Sequence, residues 1–314
     1  MGKYFCSGVC ASVLLSMIGG TAFASEKDEC KTPRFVDIGW SDIRITTEIA
    51  TTILEGIGYS PKISLLTTDV AYAAMSAKKV DIFLGAWMPA IAESSQPYRD
   101  NKTIEKVRIN LTGAVETIAV PSYVYDAGIK SLADLVKHKD QFQSTMYGID
   151  PGSNKPQEIL IAKDVDGLGD WKLLETSEAA MLAAVDRSIK KNEWIAFHAW
   201  APHPMNLRYK INYLTGGEKF IGENFGASTV QTDVRSGYLQ ECPNIGKLLQ
   251  NLEFDVDSET KMMTDLVDKA EEPRTIVLAW LRQNPEWVKR SLNDVVSFEG
   301  RPAYPVFNSY LSTK

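Results

Sequence analysis

The sequence has few of the residues and lacks the short motifs that commonly mark an enzyme. Only three histidines occur among its 314 residues, so acid–base catalysis has few candidate groups. It contains no His-Glu-x-x-His metal motif, no Gly-x-Ser-x-Gly nucleophile motif and no phosphate-binding glycine loop. His198 and His203 have no acidic or thiol ligand at a useful spacing. The sequence therefore predicts neither a metal site nor a cofactor, and it does not favour catalysis.

Long apolar runs and basic clusters are scarce as well. Beyond the first 24 residues, no apolar run approaches the roughly 20 residues that a membrane-spanning helix needs. The formal net charge is -6, and the lysines and arginines are not clustered. Both features argue against nucleic acid or an anionic membrane as a partner. We expect a soluble protein once its N-terminal segment has been removed.

The N-terminal segment has the layout of a secretory signal. Lys3 precedes a largely apolar stretch that ends in Ala22-Phe23-Ala24, just before Ser25. We expect cleavage after Ala24 and export of the mature chain. Cys6 and Cys10 would be lost with this segment, and a lipid anchor at Cys10 is the alternative.

Two cysteines remain in the predicted mature chain, Cys30 and Cys242. In an oxidising compartment a single pair is most simply a disulfide, which would tie the N-terminal arm to a distant part of the fold. Two separate buried thiols are the alternative.

Short runs rich in β-branched residues alternate with amphipathic segments, which predicts an α/β protein with a largely parallel sheet. The predicted strands are 35–40, 62–66, 80–87, 116–121, 145–150, 194–200 and 211–214. The predicted helices cover about 43–58, 70–77, 131–138, a segment from 156, 177–191, and most of the chain from about 244. Because no linker interrupts this pattern, we expect two α/β lobes that exchange segments.

Three tryptophans share one local pattern, in which each closes an apolar strand and opens a turn: Trp40, Trp87 and Trp200. Loops at the carboxyl ends of parallel strands converge on the ligand crevice, so these three rings are expected to meet there. A core aromatic is the simpler interpretation for any one of them, but the repeated placement favours a site. The other tryptophans lack the pattern and are predicted to be packing residues: Trp171, Trp194, Trp280 and Trp287.

An aromatic cage beside a carboxylate is suited to a quaternary ammonium ion. The negative ring faces attract the cation, and its methyl groups gain apolar burial. Asp42 follows Trp40 by two residues and is the candidate charge partner. It is equally a candidate N-cap for the helix that begins near Ile43, and one carboxylate can serve both roles.

Several segments, in the same order, resemble the choline-binding periplasmic proteins of bacterial ABC importers. They are DIGWSD, DIFLGAWMP, YGIDPGS, SEAAMLAAVDRSI, WAPHPMN, YLTGGE and ECPNIGKLLQNLEF, within about residues 35 to 300. The resemblance implies an α/β type II periplasmic binding protein whose two lobes close on a ligand held in the cleft between them. It also implies a periplasmic location, with an ABC permease and its ATPase subunit as partners, and we expect a monomer.

The resemblance assigns roles to particular residues. Trp40, Trp87 and Trp200 would be cage walls, with Asp42 as a polar partner. Ser153 or Asn154 would contact the ligand's oxygen, and the Cys30–Cys242 bridge matches a family pattern. One lobe would comprise 32–114 and 218–314 and the other 115–217, with hinges near 113 and 216–217.

One position departs from the family pattern. Choline-binding members have a tyrosine wall where this chain has Glu116, and similar proteins that bind trimethylamine N-oxide have a glutamate in this region. Tyr147 is a candidate for a replacement ring. Asp42 and Glu116 as two carboxylates favour choline, whereas a protonated Glu116 suits an N-oxide.

The same two carboxylates disfavour carnitine and glycine betaine, whose own carboxylates would face like charge unless Lys155 or another cation intervenes. Choline is the favoured ligand and trimethylamine N-oxide the alternative. A secreted enzyme acting on a choline-like substrate is the alternative from another class, and it would need a nucleophile or metal that the sequence does not reveal.

Overall fold

The computed structural model describes residues 1–2 and 26–314. Cys6, Cys10 and the predicted cleavage site after Ala24 lie outside the described residues. In the described part of the chain, no helix is both long enough and apolar enough to cross a membrane.

Strands and helices alternate through most of the described chain, and helices dominate its C-terminal part. The strands are β1 Arg34–Asp37, β2 Lys62–Leu65, β3 Ile82–Met88, β4 Ile104–Pro121, β5 Thr145–Tyr147, β6 Lys172–Leu174, β7 Ala196–Ala201, β8 Ile211–Tyr213 and β9 Ala227–Arg235. The helices are α1 Ser41–Gly56, α2 Thr68–Ser76, α3 Ala92–Asp100, α4 Ser122–Asp126, α5 Leu132–Lys137, α6 Lys155–Ala162, α7 Glu178–Lys191, α8 Met205–Arg208, α9 Glu218–Ile221, α10 Glu223–Gly226, α11 Tyr238–Glu241, α12 Pro243–Asn251, α13 Val256–Asp268, α14 Pro273–Gln283, α15 Pro285–Ser291 and α16 Ala303–Thr313. Short 3-10 helices lie at Asp28–Lys31 and Val165–Asp170.

The strands form one sheet in the order β2-β1-β3-β9-β4-β7-β5-β6, with β8 paired to β4. Strands β1, β2 and β3 are parallel to one another, and so are β5, β6 and β7. We call these two groups the first and second half-sheets. The prediction of a largely parallel sheet is wrong at the centre, because β4 and β9 run antiparallel to their neighbours.

Strand β4 links the two half-sheets. Its N-terminal part pairs with β9, and its C-terminal part pairs with β7 and β8. The change of partner falls at Val115, which pairs with both Ala227 and Ala201. The segment predicted as a strand at 116–121 is thus the end of an 18-residue strand.

The lobe boundaries stay a prediction. Ile221, which was assigned to the first lobe, packs in the hydrophobic cluster of the second half-sheet together with Leu132 and Leu160. We therefore propose that the second crossing between lobes lies near Ala227, where β9 begins, instead of at 216–217.

The Cys30–Cys242 disulfide is present, as predicted, so the alternative of separate thiols is wrong. The two Cα atoms are 5.6 Å apart, and the bridge closes a sequence separation of 212 residues. It fastens the segment before β1 to the start of α12.

Candidate ligand site

Asp42 lies in the first turn of α1, and its carboxylate contacts β3. The indole Nε1 of Trp87 donates a hydrogen bond of 2.8 Å to Asp42 Oδ2. Gly85 permits this approach, because a Cβ at that position would overlap the side chain of Ile43. Asp42 Oδ1 is buried and has no hydrogen-bond partner within residues 26–314. The carboxylate is therefore oriented by Trp87 and retains one oxygen for a further contact.

The prediction that Asp42 is an N-cap is wrong. Helix α1 begins at Ser41, and Trp40 is its N-cap residue. The helix starts earlier than predicted because the Ser41 N–H and hydroxyl both donate hydrogen bonds of 3.2 Å to the carboxylate of Glu178. The Asp42 side chain is consequently left to Trp87.

Burial governs the charge of Asp42. It raises the pKa of this carboxyl to about 7; the Trp87 hydrogen bond opposes the rise, and the negative charge of Glu178 adds to it. A second acid, Glu259 of α13, is buried nearby, and burial followed by the charge of Asp42 raises its pKa well above the usual range. A cation bound at Asp42 would favour its ionised form.

The three tryptophans of the predicted cage all lie in one buried core. Trp40, Trp87 and Trp200 are 3%, 1% and 3% exposed, so none of the three rings faces solvent. Trp87 and Trp200 stand near the ends of β3 and β7, and each strand ends at a cis-proline peptide, Met88–Pro89 and Ala201–Pro202. This burial is the arrangement expected of closed lobes.

Glu116 lies directly opposite Trp200 in the pairing of β4 with β7. Opposed residues point to the same face of a sheet, so Glu116 occupies a position beside that wall. Gly226 packs against the Glu116 backbone carbonyl at a φ of +72°, and a Cβ there would overlap it. The backbone at Glu116 is therefore held from both sides.

Asn154 determines where His198 carries its proton. The Asn154 amide nitrogen donates to the carbonyls of Ile149 and Asp150, over 2.9 and 3.1 Å, so its Oδ1 is the atom facing His198. Oδ1 accepts from the Ile149 N–H at 2.8 Å and lies 3.4 Å from His198 Nδ1. Since two acceptors do not face each other, we infer that Nδ1 is protonated.

The other ring nitrogen, Nε2 of His198, lies 2.9 Å from Glu116 Oε1. The alignment is not that of an ideal hydrogen bond, since neither Glu116 oxygen has a well-directed partner among the described residues. An ionised carboxylate this close to an unprotonated ring nitrogen would be repelled, so we infer that the pair carries one proton in addition to that on Nδ1. Whether the proton resides on the carboxyl or on the imidazole, the Glu116–His198 pair is neutral.

The remaining predicted contacts differ in their surroundings. Ser153 lines a cleft of about 560 Å³ between the half-sheets, together with Ser41 and Glu178. The Asn154 side chain is fully buried and hydrogen-bonded to the backbone of Ile149. This arrangement is better suited to orienting His198 than to contacting a ligand. Lys155 pairs with Glu158 at 3.2 Å. Tyr147 ends β5 and is partly buried.

The sequence reasoning missed Glu178 and the roles of both histidines. His198 and His203 flank the Trp200 ring, with centroids 5.4 and 4.7 Å away. His203 Nε2 lies 3.2 Å from Glu178 Oε1. The contact between His203 and Glu178 has no sequence signal, because it joins residues from separate elements.

The other four tryptophans pack as predicted. Trp171 and Trp194 both contact Phe142, with ring centroids 5.8 and 5.3 Å apart. Trp280 and Trp287 contact each other edge to face at 4.8 Å.

Residues 32–283 match the family model of the substrate-binding domain of ABC-type glycine betaine transport systems. The chain belongs to this family. An ABC-transporter choline-binding protein in complex with choline is 40% identical, covers 91% of this chain and 100% of its own, and superposes with a TM-score of 0.89. An ABC-transporter choline-binding protein in its unliganded semi-closed form is also 40% identical, covers 90% of this chain and 99% of its own, and superposes with a TM-score of 0.83. Lactococcal OpuAC, in its closed form with glycine betaine, is 25% identical over 83% and 98%, with a TM-score of 0.75.

These likenesses establish the fold and the general role. The protein is a substrate-binding component of an ABC transporter with the type II periplasmic binding protein fold, as predicted. Components of this kind bind a small molecule outside the cytoplasm and serve a permease and its ATPase. The better superposition on the choline complex than on the semi-closed form agrees with the burial of the three tryptophans.

Proposed function

We propose that the protein captures a trimethylammonium solute, with choline as the first candidate, and delivers it to the permease. The observation that carries the proposal is the buried Asp42: it is hydrogen-bonded to Trp87, and its other oxygen has no partner in the described part of the chain. Trp87 belongs to the same hydrophobic cluster as Trp40 and Trp200. The choline complex of a protein 40% identical to this one supports the same ligand.

The energetics suit such a ligand. A desolvated cation–π contact contributes about 1 to 2 kcal/mol, so three rings contribute roughly 3 to 6 kcal/mol. Micromolar affinity requires about 8 kcal/mol, and apolar burial of the methyl groups with the Asp42 carboxylate is expected to supply the remainder.

The buried charges argue against a ligand that carries its own carboxylate. Asp42, Glu116, Glu178 and Glu259 are buried in this region. Their buried basic neighbours are the two histidines, and the His198–Glu116 pair is neutral. Lys155, the cation considered from the sequence, is held by Glu158. Carnitine and glycine betaine would therefore meet like charge without a buried partner.

Trimethylamine N-oxide is a second candidate because of the Glu116–His198 pair. Its oxygen needs a hydrogen-bond donor, and the Glu116–His198 pair, which carries one further proton, lies beside Trp200 and would supply it. Choline needs an acceptor for its hydroxyl and a counter-charge, and Asp42 supplies both.

Thermal denaturation with a panel of ligands tests the proposal. Choline or trimethylamine N-oxide at about 100 times its dissociation constant should stabilise the protein by about 2.7 kcal/mol, a shift of several degrees. Ethanolamine is the matched control, since it has the charge and the hydroxyl of choline without the methyl groups. If only ethanolamine shifts the transition, the trimethylammonium cage is refuted. If only carnitine does, the preference for a ligand without a carboxylate is refuted. Recovery of unchanged choline distinguishes binding from turnover.

We further propose that the mature protein begins at Ser25, resides in the periplasm and is a monomer. N-terminal sequencing of the protein released from the periplasm, with light scattering of the same sample, tests these three points.

A further inference from the structure

A buried carboxylate joins the two half-sheets beside the proposed cage. Glu178 is the first residue of α7, the helix that connects β6 and β7 of the second half-sheet. Its Oε2 accepts hydrogen bonds from the N–H and hydroxyl of Ser41. Ser41 begins α1, the helix that connects β1 and β2 of the first half-sheet. Oε1 of Glu178 lies 3.2 Å from Nε2 of His203.

The hydrogen bonds of His203 fix its charge. Its Nδ1 accepts from the Met205 N–H over 2.9 Å, so the ring proton lies on Nε2 and is donated to Glu178. His203 is therefore neutral and does not cancel the charge of Glu178. The N-terminus of α1 has the partial positive charge that suits this carboxylate, and the two Ser41 donors deliver it directly.

Both ends of this contact touch residues of the cage. Ser41 separates Trp40 from Asp42 in the sequence, and His203 packs against the Trp200 ring with centroids 4.7 Å apart. Asn206 holds the turn between them by donating to the carbonyls of Trp200 and His203, over 2.7 and 3.0 Å. Separation of the half-sheets would break the Glu178–Ser41 bonds and move Trp200 away from Trp40.

We propose that Glu178 is a positioning residue for the ligand: it fastens the first turn of α1 to His203 and so keeps the cage closed around its occupant. The inference rests on the proposed trimethylammonium ligand but requires no contact between Glu178 and that ligand. We call the Ser41–Glu178–His203 contact the Glu178 bridge. The bridge is expected to act mainly on the rate of ligand release, because it exists only while the two halves are together.

Glu178 also faces other acids. Its negative charge adds to the burial that raises the pKa of Asp42, and it contributes in the same way to the raised pKa of Asp150. The raised pKa of Glu259 has other causes, namely burial and the negative charges of Asp42 and Asp255. Removing the charge of Glu178 should therefore move the ionisation of Asp42 to lower pH, an effect that a purely structural role would not produce.

The test compares Glu178→Gln with Glu193→Gln, which removes the same charge from an exposed site of the second half-sheet. Stopped-flow tryptophan fluorescence with choline should show release accelerated about tenfold or more in Glu178→Gln, with association changed less than threefold. The pH midpoint of choline affinity should also fall. Release at the wild-type rate, or an unmoved midpoint, would overturn the proposal.

Ser41→Ala weakens the contact between Ser41 and Glu178 without removing the charge of Glu178. It removes the hydroxyl donor and retains Glu178, so it should accelerate release without moving the pH midpoint, and it serves if Glu178→Gln fails to fold. Hydrogen exchange at the Ser41 amide of the ligand-free protein is the readout independent of ligand identity. If the wild type binds no trimethylammonium compound, the proposed function fails, but faster exchange in Glu178→Gln would still support the bridge and unchanged exchange would refute it.

Discussion

The indole of Trp87 donates a 2.8 Å hydrogen bond to one oxygen of Asp42, while the other oxygen of this buried carboxylate has no partner in the described chain. A carboxylate in this position is expensive to ionise in the ligand-free protein, and a bound cation relieves that cost. The same contact therefore prepares the site for a cation and makes the ligand-free site responsive to pH.

Asp42→Asn should weaken choline binding by about 100-fold or more. It should also stabilise the ligand-free protein at pH 8. The rise of the Asp42 pKa from 3.8 to about 7 means that ionisation costs the folded state up to about 4 kcal/mol, and asparagine does not ionise. Calorimetry and chemical denaturation measure the two effects. Asp126→Asn, at an exposed position, is the control; equal stabilisation by both variants would contradict this explanation.

Choline affinity should decline as the pH falls below about 7, by up to tenfold per pH unit. Below its pKa, Asp42 holds a proton that choline must displace, whereas above it the carboxylate is already charged. The stability of the ligand-free protein should change in the opposite sense, because the contribution of this raised pKa is present at low pH and is lost as the pH rises through 7. Titrations between pH 5.5 and 8.5 measure both, and a flat choline profile would exclude Asp42 as the counter-charge.

Trp200→Ala should weaken binding at least tenfold, since it removes a desolvated ring that contributes about 1 to 2 kcal/mol together with apolar contact to the ligand's methyl groups. Trp194→Ala is the matched control, because Trp194 packs against Phe142 away from the site. It should lower the melting temperature and leave the dissociation constant near its wild-type value. A near-normal constant for Trp200→Ala would remove this residue from the cage.

Glu116→Gln should change choline affinity less than threefold. The Glu116–His198 pair is already neutral, and glutamine can donate to His198 Nε2 in place of the shared proton. Affinity for trimethylamine N-oxide should fall more, because glutamine lacks the acidic proton that would meet the N-oxide oxygen. A loss of tenfold or more for choline would show that Glu116 acts as a charged wall.

Replacement of both Cys30 and Cys242 by serine should lower the free energy of unfolding by about 2 to 5 kcal/mol without altering affinity. The bridge closes a sequence separation of 212 residues, and the entropy of so long a loop in the unfolded chain is large. Denaturant titration with and without reductant measures the loss. A changed dissociation constant would indicate that the N-terminal arm acts on the site.

The parts of the site that the sequence could predict are those encoded within single segments. The placement of Trp40, Trp87 and Trp200 after apolar runs, and the proximity of Asp42 to Trp40, are local features. The buried face of α1 follows from helical spacing in the same way.

The parts that could not be predicted depend on how distant segments meet. Glu178 is 137 residues from Ser41, and nothing in the spacing of either residue indicates the other. The inferred neutrality of the Glu116–His198 pair depends on how Asn154 orients its amide, which only the fold determines. The antiparallel centre of the sheet arises from pairing between β4 and β9, which begin more than a hundred residues apart.

Calorimetric titration of the mature protein with choline, trimethylamine N-oxide and glycine betaine at pH 8 tests the central claim most directly. We expect nanomolar to micromolar binding of choline or of the N-oxide, and no measurable heat from glycine betaine. Tight binding of glycine betaine, with neither of the other two ligands bound, would contradict the proposed cage, whose buried charged residues in the described chain are acidic.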